Sequence, residues 1–284
     1  MKTLFLLLAG ASMVVAQPKP TAVKSAPAGS LGSTLPDAKT ILERSAAAAG
    51  GSDARKSIQT EKLAGKMSIA ESGITGSMVI YRSQRGESYQ VIEMPGAGKT
   101  EIANNGDIEW ERSTLTGPKV RRLAPTPGSL LEPDPTSNLA LSEKYSKIET
   151  AGLDKVHGRP CFLVRQSPKS GGPMQTVCYD RETFLPVKFE MALGSMPLKI
   201  ILGDYRPVGT TKMPFLLETE TMGQVIRVEF ETITLNDPLP PEATEIPEEI
   251  ENLAYHQRTE VRDIETDKDR PILRRRSMPP TKKK

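Results

Sequence analysis

The sequence predicts a mostly-β domain of the α+β class, built as one antiparallel sheet that follows a short helix. From Glu61 onward, apolar residues recur at every second position, in runs separated by Gly, Ser, Asn or Pro. Such alternation is typical of strands that bury one face. The strands follow one another without intervening helices, which argues against a nucleotide-binding α/β fold. A content of 37% hydrophobic and 26% charged residues in 284 is ordinary for a folded domain.

The N-terminal region predicts an exported protein. Residues 1–16, MKTLFLLLAGASMVVA, combine one lysine, a short apolar run and small residues, which is typical of a cleaved signal peptide. The apolar run is shorter than the roughly 20 residues that a membrane-spanning helix needs. Residues 17–35 are rich in Pro, Ala, Gly and Ser and are predicted to form a flexible leader. We therefore expect a periplasmic protein in an oxidising compartment, where disulfides form.

The folded domain is predicted to span residues 36–247. Asp37 opens its helix, because a carboxylate complements the dipole of the first turn, and Gly50 ends it. Ser52 is the expected cap of a second short helix. Residues 248–284 are predicted to be a charged, disordered extension with weak helical character. This extension ends in the basic segment RPILRRRSMPPTKKK.

The motifs favour a protein without catalytic chemistry. The segment PGAGKT, residues 95–100, lacks the first glycine of a phosphate-binding loop and lies between strands, so it predicts a hairpin turn. His157 and His256 have no partner at a zinc-binding spacing, and a G-x-S-x-G nucleophile motif is absent. We therefore expect no enzyme activity, no cofactor and no metal. Export, a net charge of only +3 and the lack of interleaved aromatics argue against nucleic acid.

Several segments, taken in order, resemble one family. They are AAAAGGSDARKSIQT, KLAGKMSI, NNGDIEWER, VHGRPCFLV, CYDRETFLPVKFE, LGDYRPVGTTKMPFLLE and LNDPLPPEATEIP. Their order and spacing are similar to those of the bacterial LolA/LolB-like proteins, which include the periplasmic outer membrane lipoprotein-sorting proteins. The resemblance runs through most of the chain that follows the leader.

The resemblance implies a strongly curved, incompletely closed antiparallel β-barrel, in which the N-terminal helix plugs or lids the concave face. It also implies a carrier or chaperone that takes lipoprotein acyl chains, or another apolar ligand, into a cavity of the barrel. An alternative is an envelope sensor or interaction module of the same fold, which binds a protein partner and transports no cargo. The basic C-terminal tail is a further candidate for contact with an anionic membrane surface.

Four pairs of alternating apolar residues are the candidate lining of such a cavity. Side chains two positions apart in a strand share a face, and a curved sheet that does not close fills its concave face with a helix or a ligand. A dry core without a ligand is the competing interpretation for each residue, and the sequence leaves open which parity faces inward. The candidates are Met67 and Ile69, Met78 and Ile80, Phe162 and Val164, and Ile226 and Val228.

The two cysteines, Cys161 and Cys178, are predicted to form a cross-strand disulfide. RPCFLVRQ and MQTVCYDR have the pattern of two strands joined by SPKSGGP. A turn centred between Lys169 and Ser170 places the cysteines directly opposite each other, within reach of a disulfide. Two sulfurs alone make a poor zinc site, and the spacing differs from a C-x-x-C redox motif. The alternative is two free, buried thiols.

Overall fold

The computed structural model describes residues 35–122, 145–169 and 173–257. These residues form α1 (Ala38–Ala48), α2 (Ser52–Lys56), a sheet of thirteen strands, a short 3-10 turn and a C-terminal helix, α3, at 248–257. None of the described helices combines the length and the apolar character needed to cross a membrane. The predicted signal peptide, nearly all of the predicted leader and the basic tail lie outside the described residues.

The strands form one antiparallel sheet in which almost every strand pairs with its sequence neighbours. The order is β6-β5-β4-β3-β2-β1-β13-β12-β11-β10-β9-β8-β7. In the described part of the chain, β6 and β7 do not pair with each other, so the sheet is not closed. The predicted mostly-β, antiparallel and incompletely closed architecture is thereby confirmed. The strands are β1 Thr60–Ile69, β2 Ile74–Ser83, β3 Ser88–Met94, β4 Gly98–Asn104, β5 Glu109–Ser113, β6 Gly117–Arg122, β7 Tyr145–Val156, β8 Arg159–Pro168, β9 Gln175–Asp180, β10 Pro186–Leu193, β11 Met196–Val208, β12 Thr211–Thr221 and β13 Gln224–Leu235.

The pairing of β1 with β13 joins the two ends of the strand sequence in the middle of the sheet. A bulge interrupts this pairing between Ala64 and Gly65. Gly65 is required there, because a Cβ at this position would lie 2.1 Å from the carbonyl oxygen of Glu229. Bulges increase the local twist of a sheet and bend the strand that contains them. The central seam is therefore a place where the sheet bends.

The two N-terminal helices begin and end near the positions predicted from the sequence. Asp37 caps α1, and its carboxylate accepts a hydrogen bond from the Thr40 backbone N–H at 3.0 Å. Gly51, not Ser52, is the N-cap of α2, and Ser52 is its first helical residue. The prediction of a serine cap is therefore wrong by one residue. The Gly51 carbonyl accepts from the Arg55 N–H, as an N-cap residue does.

The C-terminal helix α3 differs from the expectation of a disordered extension. Ile250 and Ala254, four residues apart on one side of α3, are buried in a cluster with Tyr89 and Trp110 of the sheet. The expectation of disorder is therefore wrong for residues 248–257. The charged sequence of α3 conceals a narrow apolar stripe at helical spacing.

Candidate ligand-binding pocket

The eight candidate residues all lie on one face of the sheet, which we call the inner face. Directly paired residues share a face, so the pairing register carries this face from strand to strand. On β1 and β13, Met67 pairs with Val228, and Ile69 pairs with Ile226. Ile80 pairs with Leu63, two residues before the bulge at Gly65, and Met78 pairs with Gly65 itself. The same face reaches β8 through the following residues in turn: Val228, Leu217, Leu202, Ile200, Phe189, Val177, Val164 and Phe162.

The inner face is divided into a covered half and an open half. In the covered half, formed by β8–β11, α1 packs Ile41 and Leu42 directly onto the sheet, and both side chains are fully buried. Phe162 and Val164 belong to this packed cluster. The open half is formed by β13 and β1–β5 and contains the other six candidates, five of them in one buried cluster with Ile80 packed against it.

Helix α1 is attached to the sheet near both of its ends. The Thr150 hydroxyl donates to the carbonyl of Pro36 at 2.8 Å, and the Lys212 N–H donates to the carbonyl of Ala49 at 3.0 Å. Along the helix, the Arg44 guanidinium lies 4.9 Å from the ring centre of Phe184, a cation–π contact. These contacts hold α1 across the covered half, from β7 on one side to β12 on the other.

A pocket of about 70 Å³ lies in the open half. Its walls are mainly Ile and Met side chains, and they come from six strands, so the sheet is concave on this side. Three of the eight candidates, Met67, Ile69 and Ile226, line the pocket directly. The full lining is Met67, Ile69, Ile74, Ile92, Met94, Pro95, Ala97, Gly98, Thr100, Ile102, Glu111, Gln224 and Ile226.

One side of the pocket is polar, but its charge is compensated. The buried carboxylate of Glu111 forms ion pairs with Lys119 at 2.8 Å and Arg121 at 3.3 Å. The Thr100 hydroxyl donates to the Ser113 hydroxyl at 3.2 Å. These polar groups therefore already have partners within the protein, and the remaining wall is apolar apart from Gln224. Such a wall is suited to a hydrocarbon group.

Several pocket residues are missing from the eight candidates, although the same apolar alternation marks them in the sequence. Ile92 and Met94 are two positions apart on β3, and Ile102 and Thr100 are two positions apart on β4; all four line the pocket. The predicted hairpin turn in PGAGKT is confirmed, since residues 95–97 connect β3 to β4, and its apolar residues also line the pocket. Glu111 carried no such signal, because a buried carboxylate breaks the apolar pattern.

On the outer face of the open half, a buried carboxylate ties the sheet to α3. Glu101 accepts hydrogen bonds from the Tyr89 hydroxyl at 2.5 Å and from Arg112 Nε at 2.6 Å. Arg112 also reaches Glu249 of α3 at 3.4 Å. Burial alone would raise the pKa of Glu101, but hydrogen bonds from Arg112, Tyr89 and Lys99 outweigh it and lower the pKa to about 2. Burial, together with the hydrogen bond to Glu101, raises the pKa of Tyr89.

On the outer face of the covered half, Cys161 and Cys178 form the predicted disulfide, with Cα atoms 5.5 Å apart. The predicted register is wrong, because Cys161 pairs with Asp180 and Leu163 pairs with Cys178. The cysteines are thus diagonal rather than directly opposite. A shift of two residues keeps both side chains on the same face, which explains why the bond still forms. Across the described residues, no group of three or more His, Cys, Asp or Glu side chains is arranged to hold a metal ion.

The comparisons with known proteins give structural neighbours only. The sequence matches no family model and no curated protein. The structure is similar to that of a DUF1329 family protein from Desulfovibrio piger, with 16% identity over 73% of this chain and 97% of that chain and a TM-score of 0.49. A putative outer membrane lipoprotein-sorting protein domain from Vibrio parahaemolyticus shares 15% identity over 76% of this chain and 99% of that chain, with a TM-score of 0.48.

A LolA superfamily protein from Nitrosomonas europaea is also similar. It shares 13% identity over 75% of this chain and 99% of that chain, with a TM-score of 0.48. Proteins described as LolA-like or lipoprotein-sorting, which the sequence motifs resemble, are thus among the structural neighbours, at low identity and with TM-scores below 0.5.

Proposed function

We propose that this protein is an exported, non-catalytic carrier or chaperone that binds a lipoprotein acyl chain, or a similar apolar group, in the open half of the inner face. The apolar pocket carries this proposal. Its walls come from six strands, whereas the covered half of the same face is filled by α1. The signal peptide predicted in residues 1–16 supports a periplasmic location.

The volume of the pocket defines what part of a ligand it takes. A water-sized group needs about 10–15 Å³ of cavity volume. The pocket, at about 70 Å³, therefore holds roughly five such groups. That is enough for the end of an acyl chain, and each buried methylene contributes about 0.8 kcal/mol. Met67 and Met94 line the pocket. Methionine side chains are flexible and rearrange around apolar ligands, so a longer chain enlarges the pocket by moving them.

The eight candidate residues take different roles in this proposal. Met67, Ile69 and Ile226 contact the ligand directly. Met78, Ile80 and Val228 support the pocket from the cluster around it. Phe162 and Val164 hold α1, which acts as a fixed plug of the covered half rather than as a moving lid.

A pocket-filling substitution tests the proposal. Ile74 lies at the start of β2, lines the pocket and is only partly buried, so Ile74→Trp fills the pocket at small cost to folding. The matched control is Thr75→Trp, because Thr75 is exposed and points to the opposite face. We expect the wild-type protein and Thr75→Trp to bind a fluorescent fatty acid saturably. We expect Ile74→Trp to weaken this binding by at least about tenfold.

Two results would count against the carrier. One is a wild-type protein that takes up no fluorescent fatty acid and shows no bound lipid in native mass spectrometry. The other is equal uptake by Ile74→Trp and Thr75→Trp in folded protein. The first result would favour the alternative, an envelope sensor or interaction module that binds a protein partner.

A further inference from the structure

The two ends of the sheet carry hairpin turns of different chemistry. Because the strands are antiparallel, alternate turns lie at the same end. One end, which we call the tip end, carries the turns β1–β2, β3–β4, β5–β6, β8–β9, β10–β11 and β12–β13. The opposite end carries the remaining turns, together with the end of β13 and the start of β1.

Charge is concentrated at the opposite end. Among the described turn residues of the tip end, Glu71 and Lys169 are the charged ones; the others are Ala, Ser, Thr, Pro, Gly, Leu and Met. Three of the five turns of the opposite end, β2–β3, β4–β5 and β9–β10, and the residues just after β13 carry charges. These charged residues are Arg85, Glu87, Asp107, Arg181, Glu182 and Asp237.

Large apolar side chains are exposed at the tip end. Leu115 is 56% exposed in the β5–β6 turn, Met222 is 69% exposed in the β12–β13 turn, and Met174 is 55% exposed before β9. These three are half of the six most exposed large apolar residues in the described chain; the others are Leu35, Leu153 and Tyr255. Single exposed apolar side chains are common on protein surfaces. The observation that indicates a contact surface is that three of the six lie at the end of the sheet whose turns carry the fewest charges.

The pocket lies at the same end of the sheet. Its lining includes Pro95 and Ala97 of the β3–β4 turn and Gln224, which directly follows the β12–β13 turn. Leu115 and Met222 therefore stand on either side of the strands that form the pocket. A surface that receives the tip end would also lie next to the ligand site.

We infer that the tip end docks on a lipid surface, with Leu115, Met222 and Met174 inserted among the lipids, so that an acyl chain passes between the surface and the pocket. The transfer step rests on the proposed function, whereas the docking rests on the turns. The turns that carry Leu115 and Met222 contain no charged residue, so they enter the membrane interface without the cost of desolvating a charge. The opposite end, with its charged turns, would pay that cost and stays in water.

The spacing of the apolar turns favours a lipid surface over a protein partner. Six strand spacings of about 4.8 Å separate the β5–β6 turn from the β12–β13 turn, which is about 30 Å along the sheet. Protein interfaces concentrate their binding energy in a central cluster that is rich in aromatic residues and arginine. Single Leu and Met anchors on distant turns do not form such a cluster, but a fluid lipid surface accepts each of them separately.

Flotation of the full protein with phosphatidylcholine vesicles at high salt tests the docking. The lipid is zwitterionic and the salt screens charges, so electrostatic attraction of the basic tail contributes little. The test variant is Leu115→Ser/Met222→Ser. Its matched control is Leu153→Ser/Tyr255→Ser, which removes two exposed apolar side chains that lie outside the tip-end turns. We expect the test variant to lose at least about tenfold in vesicle partitioning, and the control to stay within about twofold of wild type.

Uptake of a monomeric fluorescent fatty acid, measured on the same proteins without vesicles, separates this inference from the proposed function. Loss of flotation with retained uptake supports the docking. Equal flotation of the test variant and the control overturns it. A wild-type protein that does not float also overturns it and leaves a protein partner as the occupant of the tip end. Tip-dependent flotation of a protein that takes up no fatty acid supports the docking and contradicts the carrier.

Discussion

The covered half and the open half of the sheet each pack one helix, but on opposite faces. In the covered half, α1 lies on the inner face and the Cys161–Cys178 disulfide lies on the outer face. In the open half, α3 lies on the outer face, and the inner face retains a pocket. Both halves are built from strands with the same alternation of apolar residues. The comparison teaches that the position of the helix, rather than the strand pattern, decides where a cavity remains.

From this difference we expect substitutions in the covered half to affect mainly the stability of the fold, and substitutions in the open half to affect mainly ligand binding. A buried side chain beneath α1 contributes to folding, because it is packed on all sides. A pocket side chain of the open half contacts space on one side, so replacing it affects the ligand more than the fold. Substitutions that separate these two effects test the assignment.

The largest effect is expected from Phe162→Asp in the covered half. Phe162 is 6% exposed and stacks on Phe184, with ring centres 5.8 Å apart. A carboxylate there loses the aromatic packing, including the cation–π contact with Arg181 at 5.5 Å from the ring centre. We therefore expect a loss of about 4 kcal/mol in the free energy of unfolding. Urea denaturation measures this loss. A variant that keeps wild-type stability but loses fatty acid uptake would show that Phe162 lines the ligand site and that α1 is a lid.

The next effect is expected from removing the disulfide. Cys161→Ala/Cys178→Ala releases a cross-link between residues 17 positions apart, which costs about 3 kcal/mol. Both sulfurs lie on the outer face of the covered half, away from the pocket. We therefore expect a lower urea midpoint with an unchanged dissociation constant for the fluorescent fatty acid. A changed dissociation constant in the folded variant would mean that the two halves are coupled.

A smaller effect is expected from Glu101, which supports the open half from its outer face. The pKa of Glu101 is lowered from 4.5 to about 2 in the folded protein. Its ionised form therefore stabilises the fold fully above pH 4.5, and this contribution is lost as the pH falls towards 2. Glu101→Gln should cost about 2 kcal/mol at pH 7, because the hydrogen bonds lose their charge. It should also flatten the decline in stability between pH 4.5 and 2.

Glu71→Gln is the control for this measurement, since Glu71 lies exposed in the β1–β2 turn. Thermal unfolding of both variants across the acid range provides the comparison. An acid decline that is the same in Glu101→Gln as in the wild-type protein would contradict the role given to Glu101.

Alternation predicted which residues share a face but not what covers that face. The shared face of Met67 and Ile69, or of Phe162 and Val164, follows from the strand period of two. Whether α1 covers β8 or β1 depends on long-range contacts, such as the hydrogen bond from Thr150 to Pro36, which leave no local pattern. The sequence therefore predicted the sheet face on which the pocket lies, but not which strands of that face form the pocket.

The strand register and the burial of charged side chains were the other features that the sequence did not predict. The pairing of Cys161 differs by two residues from the predicted one, because alternation decides which face a side chain takes but does not distinguish registers that differ by two residues. Glu101 and Glu111 are buried because their partners, Arg112 and Lys119, come from neighbouring strands. Composition alone places such carboxylates at the surface.

The packing of α3 has a consequence for the order in which the molecule is assembled. Trp110 precedes by more than a hundred residues the helix residues Ile250 and Ala254 that contribute to its burial. Likewise, β1 pairs with β13, the last described strand of the chain. During synthesis from the N-terminus, the strands of the open half therefore lack part of their packing and pairing until β13 and α3 have been made. Late burial of the single tryptophan would then report the completion of folding, and a protein that lacks α3 would keep that indole exposed to water.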